Sequence, residues 1–109
     1  IYNLTYPVIM NLKHQYNRPR PKQLGDRLGF KINVIETKTH HTPAYPSGHT
    51  SYGHLVSLIL SEKYPEYAKD FKTFSDQTGE ARVLQGVHYP SDNDAAVKLT
   101  NNMMLLIKI

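Results

Sequence analysis

The sequence predicts an all-α fold, a helical bundle with one long loop between its first and second main helices. Apolar residues recur at helical spacing in four segments, and serine, proline and glycine stand where those segments start and stop. Between the first two segments, residues 18–45 carry Gly25, Gly29 and Pro43 and no sustained period. At 109 residues the chain is expected to form a single domain, 1–109. It opens on Ile1 with the apolar pattern already under way, so it reads as a processed product or as a portion of a longer chain.

The first helix is expected from Tyr2, Tyr6, Ile9, Met10 and Leu12, and to end near Asn17, because Pro19 and Pro21 cannot continue it. The loop that follows has room for a short helix at Pro21 to Leu28 and an extended piece at Lys31 to Thr37. Ser47 is a suitable N-cap for the next helix, which shows Tyr52, Leu55, Val56, Ile59 and Leu60 on one face and stops at Tyr64-Pro65. Pro65 can open a third main helix that runs to about Gln85 or Gly86, with Tyr67, Phe71, Phe74, Thr78, Ala81, Val83 and Leu84 as its apolar side. Pro90 and Ser91 open the last, with Ala95, Ala96, Leu99, Met103 and Leu106 facing inward.

Composition narrows the function classes. The chain is 39% apolar and 20% charged, as ordinary globular proteins are. Its apolar runs fall far short of the roughly 20 residues that cross a bilayer. The net charge of +4 favours anionic partners, but the basic residues are scattered and form no nucleic-acid arm. With no cysteine there is neither a disulfide nor a thiolate metal site, a composition found in reducing compartments and in secreted bacterial and viral proteins alike. The compartment is therefore left open.

Three stretches carry chemistry. In LKHQYNRPRP, Lys13 and Arg20 stand seven residues apart, about two helical turns, and both can reach one anion. In AYPSGHTS, Ser47 and Gly48 fall at a helix start, where free N–H groups and the dipole favour an anion and glycine admits it closely, with His49 in the first turn. In EARVLQGVHYPSD, Arg82 precedes His88 by six residues and Asp92 follows it by four. A neutral imidazole can attack phosphorus while a carboxylate on its other nitrogen fixes the tautomer, and an arginine fork suits the phosphoryl oxygens. Taken together the stretches point to phosphoryl transfer.

In order and spacing they resemble the signature of the type 2 phosphatidic acid phosphatase superfamily, which also contains the bacterial class A acid phosphatases and the vanadium haloperoxidases. A lysine, six residues and Arg-Pro are met by Lys13 and Arg20-Pro21, and Pro-Ser-Gly-His by Pro46 to His49. Ser-Arg, five residues, His, three residues and Asp are met by Arg82, His88 and Asp92, with Ala81 in the place of the serine. The resemblance implies that His88 attacks phosphorus, that Asp92 supports it and that His49 protonates the leaving oxygen. It implies that Lys13, Arg20, Ser47, Gly48 and Arg82 bind the phosphoryl oxygens and that no metal or other cofactor is needed.

On this reading the partner is a phosphorylated small molecule, and the activity that of a phosphomonoesterase. The resemblance leaves two alternatives: a haloperoxidase with vanadate as cofactor at the same histidine, and a structural or virion-associated protein that keeps the fold. It also implies more helices than the sequence shows, so further segments or partner chains, a second copy among them, are expected to cover part of the surface. A metal site built on His40, His41, His49 and His54 is disfavoured, because no carboxylate completes a ligand pattern nearby. His40 and His41 are instead expected to shape the mouth of the site, and His14 to be an exposed neighbour of Lys13. Tyr16, Tyr45 and Tyr89 adjoin the signature residues and either line a pocket or pack at helix edges.

Overall fold

The structure, a computed structural model, describes residues 2–35 and 41–107. Five helices follow one another: α1 Tyr2–Tyr16, α2 Pro21–Leu28, α3 Gly48–Lys63, α4 Ala68–Leu84 and α5 Pro90–Ile107. Among the described residues there is no strand, so the all-α expectation holds, and the long connection from α1 to α3 contains only α2 as regular structure.

The boundaries follow from local chemistry. α1 ends as Asn17 turns to φ 51°, a left-handed conformation that asparagine tolerates, and its N–H closes on Lys13 O at 2.8 Å. Pro21 opens α2, where the Gln23 side chain reaches back to the Arg20 N–H at 2.9 Å. Ser47 caps α3 by accepting from the Thr50 N–H. Two local expectations are corrected. Pro65 opens a single 3-10 turn, Pro65–Tyr67, before α4 begins at Ala68. Residues 31–35 form no strand, although the Ile35 N–H donates to Gln85 O at 3.0 Å, and the rest of the expected extended piece lies outside the described residues.

α3 is the central helix, with α1, α4 and α5 packed against it. Ile9, Leu55, Val87, Ala96, Met103 and Met104 are buried, along with small polar residues such as Thr5, Ser51, Ser57, Ser75 and Thr100. The expected inner face of α4 is corrected outright: Phe74 is 69% and Leu84 84% exposed, and the helix buries Ser75, Gly79 and Arg82 instead. Leu106 of α5, at 72%, is likewise exposed. Small residues decide the rotation of α4, because they let its backbone approach α3 closely and turn Arg82 inward. Gly53 of α3 faces Ser75, and Gly79 faces the Thr50 hydroxyl and the Asn93 amide, which are themselves joined at 2.7 Å.

A Cβ at residue 79 would stand 2.9 Å from Thr50 Oγ1 and 3.0 Å from Asn93 Nδ2. Gly79→Ala is therefore expected to lower stability by about 1–2 kcal/mol even after the gain in helix propensity, because the link between α3 and α5 must yield. Urea unfolding would check this, and an unchanged or higher midpoint would refute the close-contact account.

Candidate active site

The loop from α4 to α5 delivers the central histidine. Gly86, at φ 80°, turns the chain out of α4 with its N–H on Val83 O, and a side chain there would collide with Asn33 O. Val87 and His88 are then buried immediately ahead of α5, whose first turn carries Asp92. Asp92 is fully buried and its Oδ2 accepts from His88 Nδ1 and from the Tyr89 N–H, both at 2.9 Å.

His88 Nε2 lies 2.9 Å from Arg20 Nη1. A guanidinium only donates, so Nε2 is the acceptor and the proton sits on Nδ1, an assignment made from the hydrogen-bond partners. Burial, reinforced by Arg20 and Lys13 and opposed by Asp92, lowers the His88 pKa to about 4. The ring is thus neutral at ordinary pH, and its Nε2 lone pair accepts from Arg20 at the wall of a cavity that both residues line.

Several contacts hold Arg20, among them Nε donating to Thr42 O at 2.7 Å, Nη1 to Val87 O at 2.9 Å and to His88, and Nη2 to Thr42 Oγ1 at 3.4 Å. Lys13 Nζ donates to Pro43 O at 2.8 Å. Arg82 Nη1 reaches Gln85 Oε1 at 3.3 Å. Lys13, Arg20 and Arg82 are all nearly buried. Burial is the main reason that the Lys13 pKa falls to about 8 and the Arg20 pKa to about 10, with the neighbouring cations adding to it. Asp92 offsets part of this positive charge, and three cations largely withdrawn from water around one space favour an anion between them.

These groups line a cavity of about 420 Å³ together with Gly48, His49, Thr42 and an apolar wall of Tyr6, Ile9, Met10 and Tyr52. His49, in the first turn of α3, is exposed at the cavity edge, and partial burial with Arg82, Arg20 and Lys13 nearby lowers its pKa below 6.5. Ser47 is placed differently from the expectation. Its hydroxyl is fully buried and engaged with Thr50 in the cap of α3, and it does not line the cavity. Its N–H donates to Asp92 O at 3.1 Å and so ties the start of α3 to that of α5.

Other expectations resolve as follows. Tyr16, Tyr45 and Tyr89 do not line the cavity: Tyr16 packs edge-on against Tyr45, and Tyr89 Oη donates to Pro19 O at 3.0 Å. His41 lies beside Arg18 and Arg27 in a neighbouring depression, His14 is exposed, and His40 falls outside the described residues. His54 is buried, with Nε2 on Asn101 Oδ1. The residue that sequence reasoning missed is Arg18, whose Nη1 stands 2.7 Å from Asp92 Oδ1. A signal was present. In Arg-Pro-Arg-Pro the prolines enforce an extended chain, and residues two apart in such a chain share a face, so Arg18 and Arg20 approach Asp92 and His88 side by side.

Residues 2–100 match the model of the PAP2 superfamily. The chain belongs to the PAP2 superfamily. Among curated proteins it is similar to the non-specific acid phosphatases of Salmonella typhimurium, 37% identical over 90 residues, and Salmonella typhi, 44% identical over 94 residues, with 83% of this chain covered in each case. The non-specific acid phosphatase of Providencia stuartii is 39% identical over 88 residues, covering 77% of the chain. The chain spans 34–36% of the length of these relatives. Among the described residues no helix is long and apolar enough to cross a membrane.

Proposed function

We propose that this chain carries the catalytic site of a metal-independent acid phosphatase that hydrolyses phosphate monoesters of small molecules through a phosphohistidine. The observation that carries the reading is the pair of contacts on His88, Nδ1 on a buried carboxylate and Nε2 on the Arg20 guanidinium, at a cavity that His88 lines with three cations and a second histidine. Acid phosphatases among the relatives support it.

In the first step Arg20 Nη1 passes from His88 to a phosphoryl oxygen, the freed Nε2 lone pair attacks phosphorus, the P–N bond forms and the ester P–O bond breaks. His49, protonated, gives its proton to the departing oxygen. Asp92 stabilises the positive imidazole that forms, and Lys13, Arg20, Arg82 and the free N–H groups at the start of α3 take the charge on the equatorial oxygens. In the second step His49 accepts a proton from water as its oxygen attacks phosphorus. The P–N bond breaks, its electron pair returns to Nε2, and phosphate leaves. Gly48 keeps the helix start open to the anion, while Ser47 acts by holding it in place.

The shifted pKa values give this reading a signature. His88 must be neutral and His49 protonated in the free protein. The first condition fails as pH falls toward about 4 and the second as pH rises through a value below 6.5, with a further loss near 8 as Lys13 gives up its charge. The expected profile of kcat/KM for p-nitrophenyl phosphate, in the presence of a chelator, is a bell on the acid side of neutrality. Vanadate should compete, and rapid quenching into alkali should trap a phosphoprotein that acid destroys. Absence of turnover, with halide oxidation appearing on addition of vanadate and peroxide, would move the assignment to a haloperoxidase. Inactivity in both assays would favour a protein that keeps the fold without the chemistry.

A further inference from the structure

We propose that Arg18 is a positioning residue for the nucleophile: by gripping Oδ1 of Asp92 it keeps Oδ2 on His88 Nδ1 and so holds Nε2 toward the cavity. This rests on the reading of His88 as the attacking group. Arg18 lies outside the cavity and touches none of the atoms expected to react.

A carboxylate held by one oxygen can still swing about its Cβ–Cγ bond, and any ring hydrogen-bonded to it swings too. Here Oδ2 takes His88 Nδ1 and the Tyr89 N–H, and Oδ1 takes Arg18 Nη1 at 2.7 Å, so neither oxygen is free to exchange places. The guanidinium is itself fixed. The same Nη1 donates to Ser91 Oγ at 2.7 Å, and the group lies over the Tyr45 ring at 4.4 Å and the Tyr89 ring at 5.5 Å. Arg18 is 34% exposed while Asp92 is fully buried, so the pair is an ion contact with one member sealed from water. An outer partner of this kind orients the inner one, and its loss typically lowers activity about 10–100-fold.

Charge gives a second handle. His88 faces Arg20 and Lys13, which disfavour its protonation, and Asp92, which favours it. Removing Arg18 leaves the carboxylate less compensated, which favours imidazolium and carries the acid limb of kcat/KM to higher pH.

The test is p-nitrophenyl phosphate hydrolysis by wild type, Arg18→Gln, Arg18→Lys and His88→Ala across the acid range, with circular dichroism of each and the downfield proton resonance of His88 Nδ1. Arg18→Gln is expected to lose kcat about 10–100-fold with KM within about threefold. Its acid limb should rise by about half a pH unit or more, and the Nδ1 resonance should move. Arg18→Lys should recover part of both, and carries the measurement if Arg18→Gln does not fold. A folded Arg18→Gln with kcat within twofold and an unmoved acid limb, beside an inactive His88→Ala, would overturn this proposal alone. Loss of kcat with neither limb nor resonance changed would show a merely structural residue and overturn it too. Full activity in His88→Ala would sink it together with the reading it rests on.

Discussion

His88→Ala is expected to lose phosphatase activity by at least about 10⁴-fold, because no other group among the described residues of the cavity is placed to take the covalent step. Among the described residues His49 is the only other imidazole there, and its place at the edge suits proton transfer to a leaving group. Lys13 stays largely protonated below its pKa of about 8 and is already engaged with Pro43 O. Steady-state turnover with quench-flow trapping of the phosphoprotein would check both parts: the variant should form none of the intermediate. Turnover within tenfold of wild type would assign the nucleophile elsewhere. A stability effect separates the variant from wild type as well. The His88 pKa lies below its unfolded value of 6.5, so the unfolded chain binds more protons, and stability is complete above about 6.5 and lost as pH falls toward about 4. The alanine variant should lack that component of acid sensitivity in pH-dependent melts.

Asp92→Asn should be the most damaging single-atom exchange in the fold. The carboxylate accepts from three donors, Arg18, His88 Nδ1 and the Tyr89 N–H, and no water reaches it. An amide offers one oxygen and one NH2 group, so at least one donor would face another donor in a buried place. Breaking such a pair from one side costs about 3 kcal/mol or more, which in a domain of this size lowers Tm by on the order of 10 °C. Activity should fall about 10³-fold, since an NH2 group facing Nδ1 would favour the tautomer with its proton on Nε2, where the lone pair is needed. Calorimetry and kinetics on one preparation would decide the matter; a Tm within 2 °C and activity within tenfold of wild type would contradict it.

The order and ends of the helices were legible in the sequence because they are set by residues with few conformational choices: Asn17 and Pro19 after α1, Pro21 at α2, Ser47 at α3 and Pro90 at α5. The cavity was legible for a related reason. Lys13, Arg20, Gly48, His49, Arg82 and His88 have chemistry and spacing that no packing role explains, and the structure places all six around one cavity. What stayed hidden was orientation. Apolar periodicity assigned α4 a face with Phe74 and Leu84, but the helix turns on Ser75 and Gly79, and small residues carry almost no weight in such a pattern. The Ser47 hydroxyl was read as an anion ligand because a cap and an anion site share the same position at a helix start. Arg18 was passed over because its partner lies 74 residues away.

The contacts that build the site also fasten the chain. Among the described residues α1 packs on no helix but α3, and α2 packs on none, whereas Arg18 meets Asp92 and Arg20 meets His88 across 74 and 68 residues. The N-terminal part is therefore pinned to the C-terminal part largely through polar groups at and beside one cation-lined cavity. Closing so long a stretch of chain carries an entropic cost that these contacts must offset. An oxyanion seated among Lys13, Arg20 and Arg82 would act as a staple between distant parts of the polypeptide, so occupancy of the site and integrity of the fold are coupled quantities.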